Sequence, residues 1–122
     1  MFAPSQAELY SDPQGDTVQP PAALADIVEG QVRPGFFTGI GTVVRKLFNT
    51  AQPRWAVFGK KDDQQLMVVH NMVRQLALPT DILGGETRRT EDGMALSSRN
   101  GFLATTERSK AMALGAAPRC AA

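Results

Sequence analysis

Two short strings hold the residues best able to do chemistry. The first is Gly59-Lys60-Lys61-Asp62 with Gln64 and Gln65. It follows the apolar run Trp55-Ala56-Val57-Phe58 and opens an amphipathic segment near Asp62. In open α/β sheets ligands bind beyond the carboxyl ends of the strands. A helix N-terminus offers an anion free N–H groups and the positive end of its dipole. Gly59 permits close backbone approach, and Lys61 can meet a phosphate or a carboxylate. The same string also reads as a surface loop in which Asp62 caps the helix and Gln65 closes a capping box. The second string is Asp92-Gly93-Met94-Ala95-Leu96-Ser97-Ser98-Arg99-Asn100. Its adjacent hydroxyls and its guanidinium can donate several hydrogen bonds to a polyphosphate. It reads equally as an ordinary polar loop.

Other chemistry-bearing residues are less telling. Arg88-Arg89 could touch an anion or stand as a solvated pair. His70 lies in a helical segment beside its apolar stripe, with no Ser/Asp or Cys/Asp constellation. It therefore reads as a packed or half-exposed helix residue rather than a base. Gly39-Ile40-Gly41 lacks the preceding strand and the third glycine of a dinucleotide fingerprint, and reads as close packing at a helix start.

Composition narrows the classes. The chain has 122 residues, 13 Lys+Arg against 12 Asp+Glu, one His and one Cys. Near-neutral charge argues against a strongly basic nucleic-acid binder. No apolar run approaches the roughly 18–20 residues that span a bilayer. Met1-Phe2-Ala3-Pro4 shows neither the basic nor the apolar region of a signal peptide. Cys120, in a small-residue tail, cannot form an internal disulfide and suits a reducing cytosol. One Cys and one His nearly exclude a zinc site.

The elements that must position these strings follow from periodicity. Residues 1–22 are rich in Pro, Gln, Asp and Ser, with a turn cluster at Ser11–Asp16. A short helix is expected over Ala22–Glu29, closed by Gly30. From Thr38, residues Ile40, Val43, Val44, Leu47, Phe48 and Ala51 recur at helical spacing, and Pro53 stops the helix. Trp55–Phe58 reads as a buried strand of a parallel sheet, with Trp55 and Phe58 as core anchors. A helix from Asp62 buries Leu66, Val69, Met72, Val73 and Leu76, and Pro79 ends it. Asp81-Ile82-Leu83 is the next strand, and a last helix covers about 106–117. Helix, strand, helix and strand in alternation predict α/β architecture with parallel strands and right-handed crossovers.

Taken together, the sequence resembles the pantothenate synthetase (pantoate–β-alanine ligase) family. The resemblance is carried by Met1-Phe2-Ala3-Pro4 with Glu8-Leu9-Tyr10, Glu29-Gly30, Arg33-Pro34-Gly35, and Thr42-Val43-Val44 with Lys46-Leu47-Phe48-Asn49. It continues in Phe58-Gly59 with Lys61-Asp62 and Gln64-Gln65-Leu66, and in Asp92-Gly93 with Ser97-Ser98-Arg99-Asn100. It implies the C-terminal half of a Rossmann-like nucleotidyltransferase domain over residues 1–86 and the start of a small C-terminal α/β domain over 87–122. It implies ATP and Mg²⁺ as cofactors, pantoate and β-alanine as substrates, a pantoyl adenylate intermediate, a cytoplasmic setting, and a homodimer for the intact family enzyme. By resemblance, Gly59, Lys61 and Asp62 match ATP-site positions and Gln65 a pantoate-contacting position. Ser97, Ser98 and Arg99 match the loop that grips the ATP phosphates, and Arg88 and Leu96 line the nucleotide site. Lys61, Ser97, Ser98 and Arg99 would be the catalytic set.

The sequence departs from the family pattern at several places. Lys60 stands where the family has Glu, Asp63 where it has Tyr, and Phe36 where it has His; Gly85–Thr90 replaces a Val-Pro-Thr-Val-Arg-Glu stretch. Lys60 and Asp63 both alter the charge around Lys61. The family's initial strand and His-x-Gly-His helix are not in this sequence. The expectation is a chain that starts midway through the first domain and stops one helix into the second. Its function is then either ATP-dependent condensation of pantoate with β-alanine, as part of the intact enzyme, or that of a non-catalytic remnant that binds nucleotide or a partner subunit.

Overall fold

The structure is a computed structural model and describes residues 3–13 and 15–116. Pro118 and Cys120 lie outside them. The chain divides into two compact units, Met1–Gly85 and Glu86–Ala122, against an expected boundary after residue 86.

In the first unit the elements run α1 (Gln6–Leu9), α2 (Ala22–Ala25), α3 (Glu29–Val32), α4 (Phe36–Ala51), β1 (Trp55–Gly59), a 3₁₀ turn (Lys60–Asp62), α5 (Asp63–Gln75) and β2 (Asp81–Gly85). Strands β1 and β2 pair in parallel, with Trp55 opposite Asp81 and Gly59 opposite Gly85. Helix α5 makes the crossover, as the alternation of periods predicts.

The core is where α4, α5 and one sheet face meet. Val44 and Phe48 from α4 pack with Val69 and Met72 from α5, and Ala56, Phe58 and Ile82 close the cluster from the strands. The Phe48 and Phe58 rings meet edge-on, 6.4 Å apart. Fully burying side chains of this kind contributes about 1.5–3 kcal/mol each. Helix α4 starts two residues before Thr38, at Phe36, and ends at Ala51, capped by Gln52, whose left-handed backbone (φ 46°) leads into Pro53.

Three expectations need correcting. The strand β1 is not buried on both faces: Trp55 is 58% and Val57 70% exposed, while Ala56 and Phe58 face the helices. Apolar residues at consecutive positions cannot distinguish a one-sided from a two-sided strand, and Trp55 instead sits under the Arg54 guanidinium, 4.8 Å from its ring centre. The helix expected over Ala22–Glu29 is two separate turns, α2 and α3, parted at Val28 (φ 48°). Gly30 does not close it but lies buried inside α3. Ahead of the Ser11–Asp16 turn cluster, the first segment also carries a short helix, with Ser5 and Glu8 forming a complete capping box at α1.

That N-terminal segment is tied to α4 by side chains. The Lys46 ammonium donates to the Leu9 carbonyl at 2.9 Å and stands over the Tyr10 ring. The Thr42 hydroxyl accepts from the Val18 N–H at 3.0 Å and donates to the Thr38 carbonyl at 2.7 Å.

The second unit holds a short antiparallel bridge between Arg89 and Ala95, a 3₁₀ helix (Ser98–Phe102) and α6 (Thr105–Ala116).

Candidate functional site

Strands β1 and β2 end side by side at Gly59 and Gly85. A Cβ at Gly59 would meet nothing within 4 Å, so the carboxyl edge of the sheet is open where open α/β folds bind ligands. From this edge the chain turns through Lys60–Asp62 directly into α5. Lys61 and Asp62 are both exposed. Asp62 stands at the N-cap but makes no side-chain capping bond. The expected Asp62–Gln65 capping box is therefore absent: the 3₁₀ turn gives Asp62 a φ/ψ of −101°/58°, unlike an extended cap residue. Asp63 supplies the first-turn acid that favours the helix dipole.

Lys60 is engaged on the β2 side. A Cβ added to Gly84 would lie 3.1 Å from Lys60 Cε and 3.3 Å from Lys60 Cγ. Its stem thus lies against the bare backbone of β2, and Lys61 beside it is exposed. Gln65 is half-buried in the first turn of α5. Its neighbour Gln64, named in the candidate string and in the resemblance but given no role by either, makes three hydrogen bonds to the backbone of residues 24–29. No periodicity marks such a residue, because its partners lie 35–40 positions away.

Phe36, the departure after Arg33-Pro34-Gly35, lies beneath the Arg33 guanidinium at 3.7 Å. Arg33 in turn pairs with Glu29 at 3.0 Å. His70 is exposed on α5.

In the second unit the polar string is folded into a turn and a 3₁₀ helix. The Leu96 N–H donates to the Arg88 carbonyl at 2.9 Å, and the Thr90 N–H to the Met94 carbonyl at 2.8 Å. Arg88 and Leu96, eight positions apart, are thereby brought face to face, and both are exposed. Gly93 makes the reversal at φ 87°, and Met94 plugs the turn from inside at 6% exposure. Asp92 accepts from the Thr90 hydroxyl and from Arg108 Nη2 at 3.1 Å. The Thr90 hydroxyl first, and the Arg108 guanidinium second, hold its carboxyl below the ordinary aspartate range.

The Ser97-Ser98-Arg99-Asn100 string divides its labour. Ser97 Oγ accepts from the Arg99 N–H at 3.2 Å, so it caps the 3₁₀ helix while its own O–H stays able to donate. Asn100 Nδ2 donates to the Ala95 carbonyl at 2.9 Å and fastens the helix to the turn. Ser98 and Arg99 are exposed. Described clefts line α4: one of about 560 Å³ is bounded by Pro4, Leu9, Lys46 and Asn49, and one of about 410 Å³ by Pro20, Arg45, Asn71 and Gln75. Neither includes Lys61 or Arg99. Among the described residues, no three His, Cys, Asp or Glu side chains converge as a metal site. No described helix is long and apolar enough to cross a membrane.

The family model for pantoate–beta-alanine ligase matches residues 1–122. The chain belongs to the pantoate–β-alanine ligase family. It is 61% identical over 119 residues to the pantothenate synthetase of Leptothrix cholodnii, covering 98% of this chain and 42% of that protein. The crystal structure of pantothenate synthetase from Thermus thermophilus superposes with a TM-score of 0.87 at 49% identity, covering 91% of this chain and 40% of that one. The ligase from Francisella tularensis, solved in complex with beta-gamma ATP and β-alanine, superposes with a TM-score of 0.85 at 36% identity, covering 92% of this chain and 43% of that one. The α/β fold with parallel strands is thus that of the pantoate–β-alanine ligase family. The chain spans about two fifths of the length of these relatives.

Proposed function

We propose that this chain carries part of the active site of an ATP-dependent pantoate–β-alanine ligase, with Lys61, Ser97, Ser98 and Arg99 as its catalytic residues. The observation that carries the reading is the open sheet edge at Gly59 and Gly85, from which an exposed Lys61 projects at the start of α5. It stands in a chain matched end to end by the ligase family.

The reaction condenses a carboxylate with an amine. The pantoate carboxylate attacks the α-phosphorus of ATP, and pyrophosphate leaves with the bonding pair. The β-alanine amine then attacks the acyl carbon of the pantoyl adenylate, AMP departs, and the nitrogen loses a proton. Catalysis here is positioning plus neutralisation of charge gathering on the phosphates. In this reading Lys61 supplies a point charge to phosphate oxygens, while Ser97, Ser98 and Arg99 donate hydrogen bonds to them. Gly59 and Asp62 border the nucleotide, with Arg88 and Leu96 lining it, and Gln65 meets pantoate. Mg²⁺, when bound, neutralises phosphate charge; no described residue is assigned to hold it. The reading extends to a cytoplasmic homodimer, which the family resemblance supplies.

Titration calorimetry of the chain with ATP and Mg²⁺ tests it. A charge-assisted hydrogen bond to phosphate is worth roughly 1.5–3 kcal/mol, so Lys61→Ala is expected to weaken binding about tenfold or more. Equal affinity in the two proteins would remove Lys61 from the site.

A further inference from the structure

We propose that Gln64 is a positioning residue: its amide clamps residues 24–29 to the first turn of α5 and so sets the direction in which Gln65 and the Lys61–Asp62 turn are presented. The inference rests on the reading of that turn as a ligand site.

Gln64 Nε2 donates to the Leu24 carbonyl at 2.8 Å and to the Ile27 carbonyl at 2.7 Å. Its Oε1 accepts from the Glu29 N–H at 3.2 Å. Both amide hydrogens and the oxygen are thereby used. The orientation is determined by its surroundings, because a flipped amide would set its oxygen against two carbonyls. The three partners belong to a segment that cannot hold its own shape. Helices α2 and α3 have four residues each, far below the length at which a helix sustains itself. Between them Val28, a β-branched residue, is held at φ 48°, a conformation that persists only where neighbours enforce it.

The start of α5 needs this clamp as much as the segment does. Asp62 gives the helix no capping bond, and Lys61 and Asp62 are exposed. The helix start is therefore not held by a side-chain cap of its own. Gln64 follows the turn by two residues and immediately precedes Gln65. Fixing Gln64 at both ends of its amide fixes the rotation of this first helical turn. An error of about 1 Å in such placement is costly where catalysis works by positioning.

The test uses the 122-residue chain, its Gln64→Ala variant and its Gln64→Glu variant. Hydrogen exchange reads the segment, and calorimetry reads D-pantoate and ATP with Mg²⁺. In Gln64→Ala, the Glu29 amide is expected to exchange about tenfold faster or more, while the Val69 and Met72 amides keep their protection. Pantoate affinity is expected to fall about tenfold with a much smaller change for ATP, as befits loss of hydrogen bonds that orient Gln65. Gln64→Glu faces two carbonyls with a carboxylate and is expected to bind pantoate weakly near pH 7. It should recover toward about pH 5, where protonation restores a donor. The parent should show no such recovery, and a residue that merely filled space would not produce one. A parent that binds pantoate while both variants bind it equally well would overturn the inference alone. So would losses for pantoate and ATP in equal proportion accompanied by loss of Val69 and Met72 protection, which would make Gln64 a folding residue. A parent that binds neither ligand would overturn the proposed function, and this inference with it.

Discussion

The Ala25 carbonyl oxygen occupies the place where a side chain at Gly30 would begin. A Cβ built on Gly30 would lie 1.6 Å from that oxygen and 2.6 Å from its carbon. Both atoms are backbone and neither can swing aside. Gly30 is thus what lets α3 fold back against the end of α2, and what brings the Glu29 N–H within reach of Gln64.

Gly30→Ala is accordingly expected to destabilise the chain by more than about 3 kcal/mol, beyond ordinary overpacking, because the clash is with main chain. Gly39→Ala is the control. Gly39 lies in α4 with nothing within 4 Å of an added Cβ, so alanine there should stabilise by about 0.5–1 kcal/mol. Urea denaturation midpoints of the two variants should move in opposite directions. A tolerated Gly30→Ala would mean that α2 and α3 do not approach as described.

How much of this was legible in the sequence depends on the range of the interaction. Helix α4 was legible because Ile40, Val44 and Phe48 recur at the helical period, and the parallel pairing of β1 and β2 because α5 lies between them. Gly30 was misread as a helix stop because a glycine at a close approach and a glycine at a C-cap look alike locally. Trp55 was misread as core because its exposure depends on what covers the sheet face, not on its neighbours in sequence. At the candidate site, Lys61 and the Ser97–Asn100 string are legible in the sequence only as residue types able to meet phosphate. The three-way clamp of Gln64, which spans 35–40 positions, leaves no local trace.

The end of α5 offers a stabilising change. The Leu78 N–H donates to the Val73 carbonyl at 3.0 Å and the Ala77 N–H to the Arg74 carbonyl at 3.4 Å. This is a Schellman closure with Ala77 at φ 48°. Alanine in the left-handed region is strained where glycine is not. Ala77→Gly is expected to raise stability by about 1 kcal/mol, net of the greater freedom that glycine gives the unfolded chain. A lower denaturation midpoint would show that the helix ends differently.

Asp92 gives the second unit a pH dependence whose sign is fixed by its partners. Thr90 and then Arg108 hold its carboxyl below the ordinary aspartate value of 3.8. A carboxyl depressed by folding contributes stability that is fully present above its unfolded pKa and drains away as pH falls through the folded one. Thermal melts from about pH 6 down to about pH 2 should therefore show the parent's advantage over Asp92→Asn shrinking below about pH 4. Ser5 likewise lowers Glu8, but that contribution is common to both proteins and cancels in the difference. An advantage that stays constant across this range would show that Thr90 and Arg108 hold the neutral side chain as well as the carboxylate.

The last prediction separates binding from folding within one four-residue string. Arg99 is exposed, and its backbone N–H, not its guanidinium, is what Ser97 holds at 3.2 Å. Truncating its side chain removes no described internal hydrogen bond. Asn100 is the opposite case: its amide is fastened to the Ala95 carbonyl at 2.9 Å and is partly buried. If the string grips the phosphates of ATP, Arg99→Ala forfeits a charge-assisted bond worth roughly 1.5–3 kcal/mol and should weaken ATP binding about tenfold or more. Its melting temperature should hardly move. Asn100→Ala should instead lower the stability of the chain by about 1 kcal/mol. It should weaken ATP binding only to the extent that the 3₁₀ helix loosens. Calorimetry with ATP and Mg²⁺, paired with thermal melts of the same samples, reads both quantities. Equal ATP affinity for Arg99→Ala and the parent would take Arg99 out of the site, and would return the string to the ordinary polar loop that its composition also allows.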